Sequence, residues 1–456
     1  MTSTKRVHLL TMGCARNETD SDELAARLTA AGWELTSDAD SADAVMVNTC
    51  GFVDAAKKDS IDALLSASDL KTNGSVKAVV AVGCMAERYG KELAADLPEA
   101  DAVLGFDAYD TIGDTLAAIV GGARIDSHTP IDRRTLTATA PADRHDAARS
   151  DNNQILRVRL DSKPYAPLKI ASGCDRRCSF CAIPRFRGAY VSRRPTDIIA
   201  EAAWLAEKDV KELFLVSENS TSYGKDLGDV KLLETLLPAL ASIESIERVR
   251  VSYLQPAELR PSLIDAMVQT DKVAPYFDLS FQHASPAILR RMRRFGGAEE
   301  FLGLIETIRS KSPAAGIRSN VIVGFPGETD EDLEILCNFI AQAQMDVVGI
   351  FGYSDEQDTE ALTLDKKLPQ REIERRVEYV TSLVDEIVAQ RAEDRIGQRA
   401  RVIIEGDNEG RTEFQGPEVD GTTYVETDRE LAVGEVVDVV IVDTDGADLV
   451  GEIATS

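Results

Sequence analysis

Short β-rich runs alternate with amphipathic helical patterns along most of this 456-residue chain. In the first part of the chain the runs are "VHLLTMGC", "DAVMVNTCGF" and "AVVAVGCMA", and helical patterns such as "ETDSDELAARLTAAG" separate them. Strands that alternate with helices predict a parallel sheet covered by helices. The alternation therefore predicts an α/β protein that begins with a parallel α/β domain over residues 4–122.

A cysteine falls at the end of each of these three runs, at Cys14, Cys50 and Cys84. Ligand sites in open α/β sheets form at the carboxyl ends of the strands. The three thiols are therefore candidates to meet at one edge of the sheet, although they are more than thirty residues apart in the sequence. From the residues alone, the alternative is that they are simply buried cysteines at strand ends.

Two further blocks follow a segment, residues 123–155, whose Thr, Asp, Arg and Ala content predicts a linker. Residues 156–392 contain six strand candidates separated by helical patterns, and six βα units predict an open barrel. The candidates are "LKIASG", "ELFLVSEN", "RVRVSYL", "FDLSFQ", "RSNVIVGF" and "DVVGIFGYS". A long helical segment, "QREIERRVEYVTSLVDEIVAQRAEDR", closes this block. Residues 393–456 change to β patterns with Gly, Asp and Asn turns, which predict a small β-barrel.

Three cysteines lie within eight residues, at Cys174, Cys178 and Cys181, after the first predicted barrel strand. A tetrahedral zinc ion or a complete iron–sulfur site normally takes four protein ligands. Three thiolates on one loop would leave one iron of a 4Fe-4S cluster free to bind a small molecule. The alternatives are a structural zinc site with its fourth ligand elsewhere, or coincidence. Nearby arginines are expected to offset the negative charge of the thiolates: Arg176, Arg177, Arg185 and Arg187.

This cysteine spacing, with Phe180 just before the last cysteine, resembles the radical S-adenosylmethionine (SAM) superfamily. The resemblance implies that the open iron binds the amino and carboxylate groups of SAM. One electron then cleaves the sulfonium to a 5′-deoxyadenosyl radical, which abstracts hydrogen from an unactivated carbon. "VSEN" is similar to the segment that contacts the methionine part of SAM, which makes Ser217 and Glu218 candidates. "VIVGFPGET" is similar to the strand near the adenosine, where Gly324 would allow close approach.

Nearly the whole chain resembles the methylthiotransferases, which join an N-terminal α/β domain, a radical SAM barrel and a C-terminal TRAM β-barrel. The settings "MGCARNETDSDEL", "VNTCGFVDAA" and "GCMAERY" carry the N-terminal part of the resemblance. They imply that Cys14, Cys50 and Cys84 hold a second 4Fe-4S cluster that takes part in sulfur insertion. The implied cofactors are therefore two 4Fe-4S clusters and SAM, with one SAM molecule as methyl donor and another as radical source.

The segments "DLSFQHASPAILRRMRR" and "SYLQPAEL" resemble the branch that modifies an aspartate of ribosomal protein S12, at its β-carbon. Residues 397–456 contain 4 Arg and no Lys against 15 Asp and Glu, and 4 - 15 = -11. Such a barrel suits a basic ribosomal protein better than tRNA phosphates. The alternative enzyme is a tRNA adenosine methylthiotransferase. The alternative of another class is an RNA- or ribosome-binding protein with structural metal sites.

The amino-acid composition limits which cellular compartment and which binding partners we expect. The formal net charge of -27 weighs against broad electrostatic binding of nucleic acid, so nucleic acid contact is expected to be secondary. No run approaches the ~18–20 apolar residues of a membrane span, and we expect a cytoplasmic protein without a membrane partner. The expected partners are S12, free or in the small subunit, and an electron donor.

For three further features of the sequence, a purely structural role is an alternative to a functional role. Cys337 lies at helical spacing among apolar residues and is expected in the core. His283 follows a predicted strand end, where a capping or core role competes with a substrate contact. The basic run Arg290–Arg294 is either a solvated helix face or a contact for an acidic substrate or RNA.

Overall fold

The computed structural model describes residues 4–134 and 157–454, except residues 53, 75 and 418. The chain divides into two compact units. The first consists of Met1–Ser162, Ala171–Asp175 and Ala182–Asp197, and the second of Lys163–Ile170, Arg176–Cys181 and Ile198–Ser456.

Strands and helices alternate through most of the described ranges. In chain order, the strands are β1 (Arg6–Thr11), β2 (Glu34–Leu35), β3 (Ala44–Thr49), β4 (Ala78–Val82), β5 (Ala102–Val103), β6 (Tyr165–Lys169), β7 (Ala171–Ser172), β8 (Val191–Ser192), β9 (Glu212–Val216), β10 (Arg248–Val251), β11 (Tyr276–Gln282), β12 (Gly316–Val323), β13 (Val347–Gly352), β14 (Arg399–Gly406), β15 (Glu409–Arg411), β16 (Thr423–Glu426), β17 (Val436–Asp445) and β18 (Asp448–Ile453). The helices are α1 (Ala15–Ala30), α2 (Asp54–Asn73), α3 (Gly83–Asp96), α4 (Ile112–Val120), α5 (Ile183–Arg187), α6 (Pro195–Ala206), α7 (Leu232–Ala241), α8 (Pro261–Gln269), α9 (Pro286–Arg291), α10 (Ala298–Lys311), α11 (Asp330–Ala343) and α12 (Gln370–Glu393).

A five-stranded parallel sheet, in the order β2-β1-β3-β4-β5, forms the centre of the first unit. Every residue of β3 and β4 is buried, because helices cover both faces of a parallel sheet. Met46 and Val80 face one apolar cluster, whereas Val47 and Val79 face the other. The predicted parallel α/β domain is confirmed.

Six parallel strands in the second unit form the predicted open barrel. They make two three-stranded sheets, β10-β9-β6 and β11-β12-β13, and a parallel bridge between Leu254 and Leu279 connects the sheets. All six strand candidates of the sequence form strands, and the predicted long helical segment forms α12. Cys337 is buried in α11, as expected for a core residue.

The C-terminal strands of the second unit close into a barrel in the order β14-β15-β16-β18-β17. Alternate residues of its longer strands point inward, among them Val402, Ile404, Val439 and Ile441. The predicted small β-barrel is therefore present.

A buried carboxylate joins this small barrel to the six-stranded part of the same unit. Glu212 on β9 accepts hydrogen bonds from Arg250 at 2.7 Å and Arg248 at 3.2 Å, and from Arg411 on β15 at 3.4 Å. Burial raises the pKa of Glu212, but the three guanidinium groups outweigh this effect and hold the pKa well below its ordinary value. Glu212 is therefore ionised and neutralises part of a buried cluster of three positive charges.

The predicted linker is only partly within the described residues. Residues 123–134 have no helix or strand, and residues 135–155 lie outside the described range. Arg133 is buried and pairs with Glu87 at 2.5 Å, so this end of the segment is fixed within the first unit, to which it belongs. None of the helices in the described ranges is both long enough and apolar enough to cross a membrane.

Candidate metal centres

The three N-terminal cysteines lie at the same edge of the parallel sheet. Cys14 is the N-cap of α1, Cys50 follows β3, and Cys84 is in the first turn of α3 after β4. Strands β1, β3 and β4 are neighbours, and Thr11 pairs with Asn48 and Asn48 with Val82. Because the strands end at the same level, the residues that follow them come together.

Two glycines leave space beside these thiols. A Cβ atom added to Gly13 would lie 2.9 Å from the Sγ of Cys50, and a Cβ on Gly51 would lie 3.0 Å from the carbonyl oxygen of Cys84. Gly13 has a φ of +93°, a conformation that glycine adopts without steric cost. The cysteine segments can therefore approach one another because these positions have no side chain.

Amide side chains hold the strand ends in place around the cysteines. Asn17 Nδ2 donates to the carbonyl oxygens of Met12 and Thr49, at 2.9 and 3.1 Å. Asn48 Nδ2 donates to the carbonyl oxygen of Asn17 at 2.9 Å. The backbone N–H of Cys50 donates to the Oγ of Ser60 at 3.0 Å. These bonds link three segments that are distant in sequence, and they fix the backbone from which the thiols project.

The electrostatic surroundings differ among the three thiols. Burial raises the pKa of Cys14, but Arg16 and Arg187 outweigh burial, so the net pKa lies below the ordinary value. Burial raises the pKa of Cys50, and it raises the pKa of Cys84 to about 11 despite Arg187. The thiolate is the form that binds a metal, so metal binding must displace protons from Cys50 and Cys84.

The guanidinium of Arg187 enters the N-terminal site, which corrects one expectation from the sequence. Its Nη2 donates to Cys84 Sγ at 3.1 Å, to Asp20 Oδ2 at 2.9 Å and to Asn17 Oδ1 at 3.2 Å. The sequence instead grouped Arg187 with the thiolates of the second cysteine set. Helix α5 carries the side chain into the core of the first unit, where neighbouring Phe186 also packs.

The three cysteines of the second set do not all belong to the same unit. Cys174 belongs to the first unit, where its N–H donates to the carbonyl oxygen of Gly188 at 3.1 Å. Cys178 and Cys181 belong to the second unit, where the N–H of Cys181 donates to the carbonyl oxygen of Cys178 at 3.2 Å. All three cysteines are partly exposed. They are accessible to ligands, unlike the buried Cys337.

Two arginines hold the part of this loop that lies in the second unit. Arg294 Nη1 is 3.7 Å from Cys178 Sγ, and Arg176 pairs with Glu258 at 2.8 Å. Glu258 also accepts a hydrogen bond from Asn219 Nδ2 at 2.8 Å. Burial raises the pKa of Glu258, but its hydrogen bonds and Arg176 outweigh burial and lower it overall. The sequence reasoning did not identify Glu258, although it lies in the segment "SYLQPAEL" that carried the branch resemblance.

The predicted SAM contacts occupy different surroundings within the second unit. Phe180 packs edge to face against Phe325, with ring centroids 6.5 Å apart. Ser217 follows β9 and is fully buried, and its Oγ lies 3.1 Å from that of Ser220; Glu218 comes next in the chain. These assignments remain predictions.

The structure requires glycine at position 324 for a reason that does not involve a ligand. It has a φ of +78°, and an added Cβ would lie 2.7 Å from Ile373 Cγ1 of α12. Its N–H donates to Glu328 Oε2 at 2.9 Å. The close approach that the glycine allows in this structure is therefore to α12, and its predicted contact with SAM remains a prediction.

His283 and the basic run have mainly structural contacts. The Nδ1 of His283 accepts a hydrogen bond from the N–H of Ser285 at 3.0 Å, and its Nε2 lies 3.3 Å from Glu328. This fully buried histidine therefore has the capping and core contacts of the structural alternative. In the basic run, Arg290 is exposed, Arg293 pairs with Glu360 at 2.7 Å, and Arg294 turns inward towards the cysteine loop.

The residues of the N-terminal cysteine site fit an iron–sulfur cluster. Within the described ranges, no three His, Cys, Asp or Glu side chains are arranged to hold one metal ion. An iron–sulfur cluster places each thiolate on a different iron, so its ligands stand further apart than those of one ion. In the N-terminal site, three thiols, a buried guanidinium and two glycines without side chains fit such a group.

Comparison with known proteins assigns all three parts of the chain. Residues 6–105 match the family described as Uncharacterized protein family UPF0004, residues 168–340 the radical SAM superfamily, and residues 396–454 the TRAM domain. A Kineococcus radiotolerans protein named ribosomal protein uS12 methylthiotransferase RimO is 57% identical, over 99% of this chain and 97% of that protein. A Nocardioides protein of the same name is 58% identical, over 97% of this chain and 96% of the relative.

Solved structures are similar in fold. The radical SAM methyltransferase TsrM from Kitasatospora setae, with tryptophan and a SAM analogue, has a TM-score of 0.51 at 15% identity. The match covers 76% of this chain and 73% of TsrM. The cobalamin-dependent radical SAM enzyme OxsB, without ligands, also has a TM-score of 0.51, at 11% identity, over 83% of this chain and 56% of OxsB. Identities this low support the fold alone.

Proposed function

The chain belongs to the ribosomal protein uS12 methylthiotransferase family, and we propose that it converts a C–H bond of an aspartate in uS12 into C–SCH3. The modified atom is the β-carbon of that aspartate. The similarity to named relatives over nearly the full length of both chains carries this conclusion. The chain is a radical SAM methylthiotransferase, and its iron–sulfur and SAM chemistry follows from the family.

The proposal includes two 4Fe-4S clusters, one at each cysteine set. The meeting of Cys14, Cys50 and Cys84 at one sheet edge supports the second cluster, because cysteines without a shared role have no reason to converge. The SAM-binding cluster would be held by Cys174, Cys178 and Cys181. When bound, the clusters and SAM supply the electron transfer, radical formation, sulfur insertion and methyl transfer of the reaction.

The protein's own residues hold and shield these groups. Arg294 lies against Cys178, and the pairing of Arg176 with Glu258 ties the cysteine loop to the segment after β10. Asn219 donates to the same carboxylate, so this network also supports the backbone next to Glu218. Ser217 and Glu218 are proposed to orient the methionine part of SAM, and Phe180 and Gly324 to border its site.

The substrate protein is proposed to meet the acidic TRAM barrel. Residues 397–456 carry a net charge of -11, which attracts a basic ribosomal protein and repels nucleic acid phosphates. The aspartate would be modified in uS12 either free or in the small subunit, and an electron donor would reduce the clusters. The proposed location is the cytosol, with no membrane partner.

The substrate is tested by offering the anaerobically reconstituted enzyme purified uS12 and unmodified tRNA in parallel. We expect a mass gain of about 46 Da, the replacement of H by SCH3, on an aspartate peptide of uS12 and none on tRNA. The same gain on an adenosine, with unmodified uS12, would assign the enzyme to tRNA. Assembled small subunits in a third reaction distinguish the free from the assembled substrate.

The number of clusters and their roles are tested by two triple Ala variants. Iron and sulfide analysis should give about eight irons per wild-type chain and about four in each triple variant. The Cys14, Cys50 and Cys84 variant should still release 5′-deoxyadenosine from SAM but should not methylthiolate uS12. The Cys174, Cys178 and Cys181 variant should lose both activities. Four irons in the wild type, or zinc instead of iron, would contradict the two-cluster proposal.

A further inference from the structure

Arg187 is buried at the N-terminal cysteine site, with 2% of the residue's surface exposed. Its Nη2 contacts Cys84 Sγ at 3.1 Å and Asp20 Oδ2 at 2.9 Å, and Asp20 is itself fully buried. The guanidinium also lies over the ring of Phe106, 5.1 Å from its centroid. A buried charge held on several sides has one orientation, and here that orientation places an N–H group on a candidate ligand sulfur.

The backbone around Arg187 also reaches the other cysteine set, within the first unit. Gly188 accepts a hydrogen bond from the N–H of Cys174 at 3.1 Å, and the N–H of Tyr190 donates to Asp175 Oδ1 at 3.1 Å. The stretch 187–190 therefore contacts Cys84 through a side chain and Cys174 through the backbone. A change in the position of Arg187 would therefore alter the surroundings of both Cys84 and Cys174.

Hydrogen bonds to sulfur are among the features that set the reduction potential of an iron–sulfur cluster. Reduction adds one electron to the cluster and makes it more negative. An N–H donor and a positive charge beside a ligand sulfur stabilise that reduced state more than the oxidised state. Asp20 offsets part of the positive charge, but it also orients the guanidinium, so the directed hydrogen bond to Cys84 remains.

We propose that Arg187 is a positioning residue of the N-terminal cluster, which donates a hydrogen bond to the sulfur of Cys84 and raises the reduction potential of that cluster. This inference rests on the proposed second cluster. It gives the arginine of the "RFRG" segment, which follows the SAM-binding cysteines in sequence, a role at the other cluster site. In the reduction step, an external reductant transfers one electron to the cluster, and no bond is made or broken.

The test uses the full chain with Cys174, Cys178 and Cys181 changed to Ala, so that the N-terminal cluster alone gives the signal. Dithionite titration followed by electron paramagnetic resonance gives its midpoint potential. Arg187→Met should lower the equilibrium constant for reduction about tenfold, which corresponds to about 59 mV for one electron. Arg187→Lys keeps the charge but loses the planar fork, so its shift should be smaller than that of Arg187→Met.

Arg194→Met is the matched control, because Arg194 is an exposed arginine of the same unit. It should leave the midpoint unchanged. A midpoint in Arg187→Met equal to that of the control would overturn the inference. The positioning role is also supported if Arg187→Met keeps its circular dichroism spectrum but loses iron, while the control and Arg187→Lys keep their iron. If the parent holds no iron, the second cluster of the proposed function fails, which is a separate outcome.

Discussion

Gly13→Ala tests the geometry of the N-terminal cysteine site. The new Cβ atom would lie 2.7 Å from the Cβ of Cys50 and 2.9 Å from its Sγ. Carbon atoms in contact are separated by about 3.5–4.0 Å, so the two segments must move apart by roughly 1 Å. Metal–ligand distances tolerate about 0.2 Å. We therefore expect the variant to lose the cluster that includes Cys50.

The expected iron content of Gly13→Ala after anaerobic reconstitution is about four per chain instead of about eight. The positive φ of +93° adds backbone strain of about 1–2 kcal/mol for a residue with a side chain. In a unit of this size, that strain lowers the melting temperature by about 2–8 °C. Iron analysis and thermal unfolding of the metal-free protein measure these two effects separately.

Gly32→Ala is the control that separates strain from displacement of Cys50. Gly32 belongs to the same unit and has a φ of +86°, but nothing lies within 4 Å of an added Cβ. This variant should show a similar fall in melting temperature and the full iron content. Full iron in Gly13→Ala would refute the geometric argument. Equal iron loss in both variants would show that general destabilisation removes the cluster.

Further variants test the barrel junction, the acidic surface and the cysteine loop. Glu212→Gln leaves three buried arginines without their carboxylate and should cost about 3–5 kcal/mol of unfolding free energy in urea, whereas exposed Glu430→Gln should cost almost nothing. Folding lowers the pKa of Glu212, so the stability that its carboxylate contributes should be complete above about pH 4.3 and lost as the pH falls. If the stability of Glu212→Gln falls with decreasing pH as steeply as that of the wild type, this expectation is contradicted. Reversing the charge of exposed acidic residues on the TRAM barrel should slow association with uS12 at least about tenfold at low salt. SAM cleavage in the absence of substrate should not change. An unchanged association rate would exclude electrostatic steering by the barrel surface. The set is Asp407→Lys, Glu426→Lys, Glu430→Lys and Glu452→Lys. Glu258→Gln should weaken the hold on Arg176 and lower the rate of 5′-deoxyadenosine release, and a wild-type rate would show that the loop is held without this pair.

The choice of acidic residues depends on the structure and not on the net charge alone. Glu405 pairs with Arg411 at 2.5 Å, and Glu413 accepts a hydrogen bond from the backbone N–H of Arg401 at 3.0 Å. Reversing these charges would disturb the barrel itself. The exposed set avoids that ambiguity, because a lower on-rate then reports the surface charge.

The sequence alone determined the order of the longer strands and helices, and it placed the six candidate ligand cysteines at strand ends or in a loop. Strand and helix periodicities are local, since they depend on residues two to four positions apart. The convergence of Cys14, Cys50 and Cys84 followed from a parallel sheet, because neighbouring parallel strands end at the same edge. The resemblance supplied what periodicity does not contain, which is the chemistry of the two cysteine sets.

The tertiary structure decided which side chains surround these sites. Arg187 contacts Cys84 across 103 residues of sequence, and Arg411 reaches Glu212 across 199. It also placed Gly324 against Ile373, where the sequence had indicated only a ligand. Such pairs depend on how elements pack after they form, and no local pattern specifies the partner of a buried charge. A buried charge nevertheless requires a partner, because the energetic cost of an unpaired ion in the interior is large.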